Sequence, residues 1–209
     1  MLVRDIMSSP VAAVPPAATL EDAYRMMREK AIRHLLVFDG DRVVGVVTDR
    51  DLRLATSSLA ASPFPPGSRV ESVMVRSPLT AAPDDPVEDA ARAMRERKIG
   101  CLPVMDGDRL LGIVTVIDLM DALLAMTGVD KPSGRLEIRL SDAPGELARL
   151  TAFFASRGVP LRSILTHADE EDRVRAVLRA GSIEIRPLSA ELRREGFDVL
   201  WPPDKPWPR

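Results

Sequence analysis

Gly45-Val46-Val47-Thr48-Asp49-Arg50-Asp51-Leu52 recurs along the chain as Gly112-Ile113-Val114-Thr115-Val116-Ile117-Asp118-Leu119. The two stretches lie 67 residues apart, and the same spacing carries Val37, Asp39, Gly40, Asp41 and Arg42 onto Val104, Asp106, Gly107, Asp108 and Arg109. It also carries Glu21-Asp22-Ala23 onto Glu88-Asp89-Ala90, Met27-Arg28-Glu29 onto Met94-Arg95-Glu96, and Val3 and Met7 onto Val70 and Met74. A constant offset without a gap reads as two copies of one supersecondary unit.

Each copy parses alike. A short start (Val3 to Met7; Val70 to Met74) leads into an extended piece rich in Val, Ala and Pro. A helix follows, with Thr19 as its N-cap and Glu21-Asp22 in the first turn, where carboxylates suit the helix dipole. Leu20, Ala23, Met26, Met27 and Lys30 carry the helical spacing. A strand over Leu35 to Phe38, the turn Asp39-Gly40-Asp41 and a strand over Val43 to Val47 form a hairpin. Thr48 and Asp51 then open a second helix. The strands Val43 to Val47 and Leu110 to Val114 are apolar at nearly every position, as strands covered on both faces are. One such unit has too little area to bury alone, so two copies packed about a pseudo-two-fold axis are expected to share a core.

The pattern changes after the second copy. Leu136-Glu137-Ile138-Arg139-Leu140 alternates as a half-exposed strand does. Asp142-Ala143-Pro144-Gly145-Glu146 reads as a turn opening a helix, with Pro144 suited to its first position. Leu147, Leu150, Phe153 and Phe154 form the apolar face of that helix, and Gly158 its stop. Strands are predicted over Leu161 to His167 and Val174 to Leu178, around the charged turn Asp169-Glu170-Glu171-Asp172. A helix over Leu188 to Glu195, stopped by Gly196, precedes a strand over Phe197 to Trp201. The order βαββαβ is that of a ferredoxin-like unit. The expected organisation is a unit at 1–56, a Pro-rich linker at 57–69, a second unit at 70–126, a linker at 127–133, the βαββαβ domain at 134–201 and an extended tail at 202–209. The fold class is α/β (α+β).

Composition narrows the function. Lys plus Arg number 29 against 31 Asp plus Glu, a net charge of −2, which argues against a nucleic-acid binder with a basic face. The single cysteine, Cys101, forms no internal disulfide or cysteine-based metal cluster and suits a reducing cytoplasm; it reads as a small buried hydrophobe. Neither a targeting segment nor an apolar run of the ~20 residues that a membrane span needs is visible. No Gly-x-Ser-x-Gly elbow, Walker loop or Gly-x-Gly-x-x-Gly fingerprint occurs. The two histidines, His34 and His167, fall in different domains. Carboxylate runs such as Asp84-Asp85 read as solvated turns. These features point away from an enzyme and from a metal protein.

The doubled start motif, amphipathic helix, "Leu-x-Val-x-Asp-Gly" and "Gly-h-h-Thr-x-x-Asp-Leu" over residues 3 to 126 resemble a tandem pair of CBS domains, a Bateman module. The resemblance implies a regulatory module that binds an adenine nucleotide (AMP, ADP, ATP or a related adenosyl ligand) in the cleft between the units. Thr48 with Asp51, and Thr115 with Asp118, match the family's phosphate- and ribose-contacting positions. A helix N-terminus suits phosphate, and an Asp carboxylate can accept from both ribose hydroxyls. The same residues could simply cap their helices. The backbones of Val11, Ala12 and Ala13, and of Leu79, Thr80 and Ala81, would face the adenine. Arg33, His34 and Arg50 would face phosphates, whereas the second copy has Gly100-Cys101 and is less equipped for them.

Asp142-x-Pro-Gly145 within the βαββαβ stretch resembles an ACT domain, which implies paired domains and an amino-acid-like effector near Asp142 and Gly145. Pro144-Gly145 could equally be a helix-entry turn. A CBS pair followed by an ACT domain is similar to the family of the acetoin-utilisation protein AcuB. The resemblance further implies a homodimer or higher homo-oligomer, with no required cofactor, no membrane and no nucleic acid. A ligand-free dimerisation or protein-interaction module is the alternative, as is an amino-acid sensor acting through the ACT domain.

Overall fold

A computed structural model describes residues 1–169 and 172–204. The chain divides into two compact units, Met1–Met120 and Asp121–Arg209.

The first unit holds both repeats. The first repeat comprises β1 (Ala13–Val14), α1 (Leu20–Glu29), β2 (His34–Asp39), β3 (Arg42–Thr48) and α2 (Asp49–Thr56). The second begins at β4 (Val75–Arg76) and continues through α3 (Val87–Arg97), β5 (Cys101–Asp106), β6 (Arg109–Thr115) and α4 (Val116–Thr127), whose last turns enter the second unit. Thr19 caps α1 by accepting the Asp22 N–H at 3.0 Å, and Leu20, Ala23 and Met27 turn inward. Met26 is half-buried, and Lys30 is the exposed C-cap rather than part of the buried face.

The repeats exchange their starts. The first sheet runs β1-β2-β3-β4, so its last strand comes from the second repeat. In the second, β5 and β6 are flanked by the bridges Ala81↔Val104 and Ser8↔Ile113, and Ser8 comes from the first repeat. Side chains follow the backbone. Val70 and Met74 pack into the core of Val14, Leu20, Leu35 and Val47, while Val3 packs with Ala81, Met94, Leu102 and Val114. A third cluster, Leu36, Val46, Cys101 and Ile113, joins both repeats. Neither repeat therefore completes a core alone, in line with the area argument from sequence.

This exchange explains two glycines inside strands. A Cβ on Gly45 would lie 2.7 Å from the Met74 Sδ, and one on Gly112 would lie 2.8 Å from the Ser8 carbonyl oxygen. Each glycine lets the other repeat's start pass close to the strand.

In the second unit the elements are β7 (Gly134–Ser141), α5 (Glu146–Ser156), β8 (Leu161–Ala168), β9 (Arg173–Ala180), α6 (Ile185–Arg194) and β10 (Asp198–Trp201). The sheet order β10-β7-β9-β8 is antiparallel throughout. Leu136, Ile138 and Leu140 of β7 pack with Leu150, Phe153 and Phe154 of α5 and Leu188 and Leu192 of α6. The opposite face carries an ion-pair network in which Arg139 and Arg175 both bind Asp169, at 2.6 and 2.7 Å.

Three local expectations change here. Leu147 is 43% exposed and off the buried face. Pro144 lies outside α5, because Gly145 is its N-cap at φ +95°. Helix α6 starts at Ile185, three residues before Leu188, since Ile185 packs against the core. The middle of the predicted turn, residues 170–171, and the end of the predicted tail, 205–209, lie outside the described residues.

Candidate functional site

The β2–β3 hairpin sets His34 opposite Thr48, and β5–β6 sets Cys101 opposite Thr115. Each threonine is the last residue of its strand, and a helix starts at once. Thr48 N–H and Oγ1 both donate to Asp51 Oδ2, at 2.9 and 2.6 Å, and Asp51 N–H donates back to Thr48 Oγ1 at 3.2 Å. The second repeat repeats the geometry: Thr115 N–H and Oγ1 each reach Asp118 Oδ2 at 2.7 Å, and Asp118 N–H reaches Thr115 Oγ1 at 3.4 Å. Both pairs are thus reciprocal caps that satisfy helix-start donors. The capping occupies Oδ2 only. Among the described residues Oδ1 of Asp51 and of Asp118 accepts no hydrogen bond, so each carboxylate keeps an acceptor for another partner.

The other sequence-derived positions sort unevenly around these caps. Val11, Ala12 and Ala13 are half-buried along the free side of β2; Ala13 pairs with Leu36, and the Ala12 carbonyl accepts the Leu36 N–H at 3.2 Å. Leu79 and Thr80 are exposed, while Ala81 is buried with both backbone groups bonded to β5, from its N–H to Pro103 O and from Met105 N–H to its carbonyl, each at 2.9 Å. Arg33 and Arg50 are exposed. The Arg33 carbonyl accepts the Asp49 N–H at 3.0 Å, as Gly100 accepts the Val116 N–H at 3.1 Å, so both residues border the helix starts.

Sequence reasoning noted Gly100 only as an uncharged counterpart of Arg33 and missed its contact with His34. A Cβ there would lie 2.7 Å from His34 Nε2, so the imidazole of one repeat rests on the backbone of the other. The signal was present as a glycine opposite an arginine in the repeat alignment, but its meaning depends on packing across the seam. Burial, and secondarily the nearby Arg33, hold the His34 pKa below its ordinary 6.5, against an upward pull from Asp51 and Asp118. Burial, with Asp51 adding to it, pushes the Cys101 thiol up to about 12, which leaves it protonated and unreactive at neutral pH.

Asp142 and Gly145 lie together before α5, both exposed. Gly145 at φ +95° occupies a backbone region that other residues rarely adopt. A separate open pocket of about 320 Å³ between α1 and α2, lined by Leu20, Tyr24, Leu52 and Pro66 among others, includes none of these candidate residues. Among the described residues no group of three His, Cys, Asp or Glu side chains is placed to hold a metal ion. Among them, too, no helix is long and apolar enough to cross a membrane.

The family model for the CBS domain matches residues 3–58 and again 70–125. The chain belongs to the CBS-domain family. A CBS domain-containing protein of Dictyostelium discoideum is 37% identical over 137 residues, covering 59% of this chain and 92% of that protein. A homoserine O-acetyltransferase of Methanohalobium evestigatum is 37% identical over 119 residues, but these are 56% of this chain and only 23% of the enzyme. Among solved structures, the CBS pair of protein MJ0100 in complex with 5'-methylthioadenosine and S-adenosyl-L-methionine has TM-score 0.54 and 28% identity, over 63% of this chain and 98% of that one. CBSX2 in complex with AMP has TM-score 0.53 and 31% identity, over 59% and 96%. A structure described as an AcuB acetoin utilization protein of Vibrio cholerae has TM-score 0.53 and 29% identity, over 62% and 95%. The CBS pair is thus the part of the chain that these similarities describe.

Proposed function

We propose that this chain is a non-catalytic regulatory sensor that binds an adenine nucleotide or related adenosyl ligand in the cleft of its CBS pair. The observation that carries the reading is the doubled Thr–Asp cap with an unused carboxylate oxygen, set at strand ends in a fold whose solved relatives hold AMP or adenosyl compounds. In this reading Asp51 and Asp118 accept from ribose hydroxyls through Oδ1, Thr48 and Thr115 with the adjacent helix N-termini receive phosphate, and Arg33, His34 and Arg50 supply positive charge in the first repeat. Val11, Ala12 and Ala13, and on the second side Leu79, Thr80 and Ala81, flank the adenine. The protein acts in the cytoplasm as a homodimer or higher homo-oligomer, with no required cofactor. Bound ligand shifts the arrangement of the repeats, because only a ligand that prefers one arrangement can bias it.

The residues after 133 act as an ACT domain that transmits or adds a second signal. The βαββαβ order and the left-handed Gly145 at the first strand–helix turn support this. They also favour a second reading, in which an amino acid bound near Asp142 and Gly145 is the effector. Thermal unfolding with AMP, ADP, ATP, S-adenosylmethionine and a set of amino acids separates the two. A ligand at about 100 times its Kd adds roughly 2.7 kcal/mol. A nucleotide shift abolished by Asp51→Ala or Asp118→Ala supports the CBS sensor; an amino-acid shift alone supports the ACT sensor; no shift with any of them supports a ligand-free interaction module.

A further inference from the structure

The open face of the sheet in the second unit carries rows of arginines. Arg135, Glu137 and Arg139 alternate along β7 with the buried Leu136, Ile138 and Leu140, and Arg175 and Arg179 alternate along β9 with the buried Ala176, Leu178 and Ala180. The register sets Arg139 opposite Arg175 and Arg135 opposite Arg179. Side chains directly opposite in an antiparallel pair stand about 5 Å apart at Cβ, and like charges there repel. At the first pair the chain supplies an anion: Asp169 takes Arg139 at 2.6 Å on one oxygen and Arg175 at 2.7 Å on the other. The second pair is built differently. Glu137 takes Arg135 at 2.7 Å but turns its other oxygen to Arg175 at 3.3 Å. Arg179, half-buried, has no ion-pair partner among the described residues. Arg162 joins this end of the sheet from β8, whose register shifts between Leu161 and Ser163, and it too has no ion-pair partner among the described residues. Its Nε lies 3.4 Å from where a Cβ on Gly181 would stand, two residues past Arg179, so the absence of a side chain there leaves room for the arginine.

We propose that Arg135, Arg162 and Arg179 form a binding site for a phosphate dianion at this corner of the sheet. The phosphate stands between Arg135 and Arg179 as Asp169 stands between Arg139 and Arg175. The planar guanidinium fork matches phosphate oxygens as it matches a carboxylate. Arg162 and Arg179 leave two positive charges uncompensated, which calls for two negative charges in return, and a phosphate carries both on one compact group. A half-buried guanidinium set opposite another cation gains more from such a partner than a fully exposed one, whose pairing is screened by water and salt. The site is separate from the turn at Asp142 and Gly145. That turn follows Ser141 at the far end of β7, about 20 Å along the strand from Arg135. The proposal is independent of the nucleotide reading, whose candidate residues in the CBS pair all lie in the first unit.

Calorimetric titration of the full chain with inorganic phosphate tests this, at about pH 8, where phosphate is a dianion, and at constant ionic strength, so that screening stays fixed. Three variants accompany the parent chain: Arg179→Gln; Arg186→Gln, an exposed arginine on α6, whose Leu188 and Leu192 pack against the other face of the sheet; and the double substitution Asp51→Ala with Asp118→Ala. The expected result is a loss of about tenfold in phosphate affinity in Arg179→Gln, with binding retained in the other two. Without phosphate, Arg179→Gln is expected to unfold in urea no earlier than the parent, because it relieves the opposition to Arg135. Arg162→Gln serves in its place if Arg179→Gln does not fold. Glycerol 3-phosphate beside free phosphate distinguishes a phosphorylated small molecule from the inorganic ion, and binding of either through Arg179 supports the site. Absence of phosphate binding, equal weakening by Arg179→Gln and Arg186→Gln, loss of binding in the double Asp variant instead, or tighter binding of succinate than of phosphate overturns the proposal.

Discussion

Replacing Gly112 by alanine puts a Cβ 2.8 Å from the Ser8 carbonyl oxygen and 3.0 Å from the Met7 Sδ. The nearer atom is backbone, and that same carbonyl accepts the Ile113 N–H at 3.0 Å while Ser8 N–H donates to Ile113 at 2.9 Å. The clash cannot be relieved by a rotamer change alone; the exchanged segment must move, and both hydrogen bonds stretch. Overpacking of this kind costs about 1–3 kcal/mol, and about 2 kcal/mol is expected. At Gly45 the nearest atom is instead the Met74 Sδ at 2.7 Å, the mobile end of a flexible side chain, with the Val75 carbonyl at 3.0 Å. Gly45→Ala should therefore cost less, about 1 kcal/mol. Urea unfolding ranks the two variants, and hydrogen exchange at the Ile113 amide reports the exchanged pairing directly. Gly112→Ala should speed that exchange and Gly45→Ala should leave it nearly as in the parent. If Gly112→Ala is no more destabilising than Gly45→Ala, or if the Ile113 amide stays as protected, the account of these glycines is wrong.

Three further outcomes follow from single side chains. Thr48→Ala and Thr115→Ala each remove a reciprocal cap and should cost about 1 kcal/mol in urea unfolding, with serine at either position restoring most of it; equal stability of the alanine and serine variants would show that the caps contribute nothing. Cys101 should resist alkylation at neutral pH until the chain unfolds. Its pKa is raised in the fold, so its contribution to stability is intact below about 9 and is lost as pH climbs toward about 12, a loss that Cys101→Ala should abolish in alkaline unfolding. Asp169, with 8% of its side chain exposed, is held below its ordinary 3.8 chiefly by the hydrogen bond from Arg139. Its contribution is therefore present above that pH and lost below it, and Asp169→Asn should destabilise the second unit near neutrality while flattening its acid unfolding.

Much of the fold was legible because its signals are local. Thr19, the hairpin turn at Asp39-Gly40-Asp41 and the alternation of Leu136, Ile138 and Leu140 act within a few residues, and the observed elements lie close to where they were expected. Errors came where a neighbour in space decides. Leu147 has the spacing of a buried residue but lies at the rim of α5, and Ile185 starts α6 early because the core reaches it. The candidate site divides the same way. The members of each Thr–Asp cap lie three positions apart in sequence and could be read directly, whereas the seat of His34 on Gly100 joins positions in different repeats.

The sequence by itself determined that there are two copies of one unit, that each ends in a Thr-x-x-Asp helix start, and that the first copy alone carries Arg33, His34 and Arg50. These are properties of residue type and spacing along one chain, and a constant offset exposes them. Only the tertiary structure decided that the copies trade their opening segments, so that Val3 completes the second core and Val70 the first. Only it decided that His34 faces the other repeat. Both follow from the insufficient apolar area of a single copy: what one repeat cannot bury for itself it buries against its neighbour, and a linear pattern carries no record of which neighbour that is.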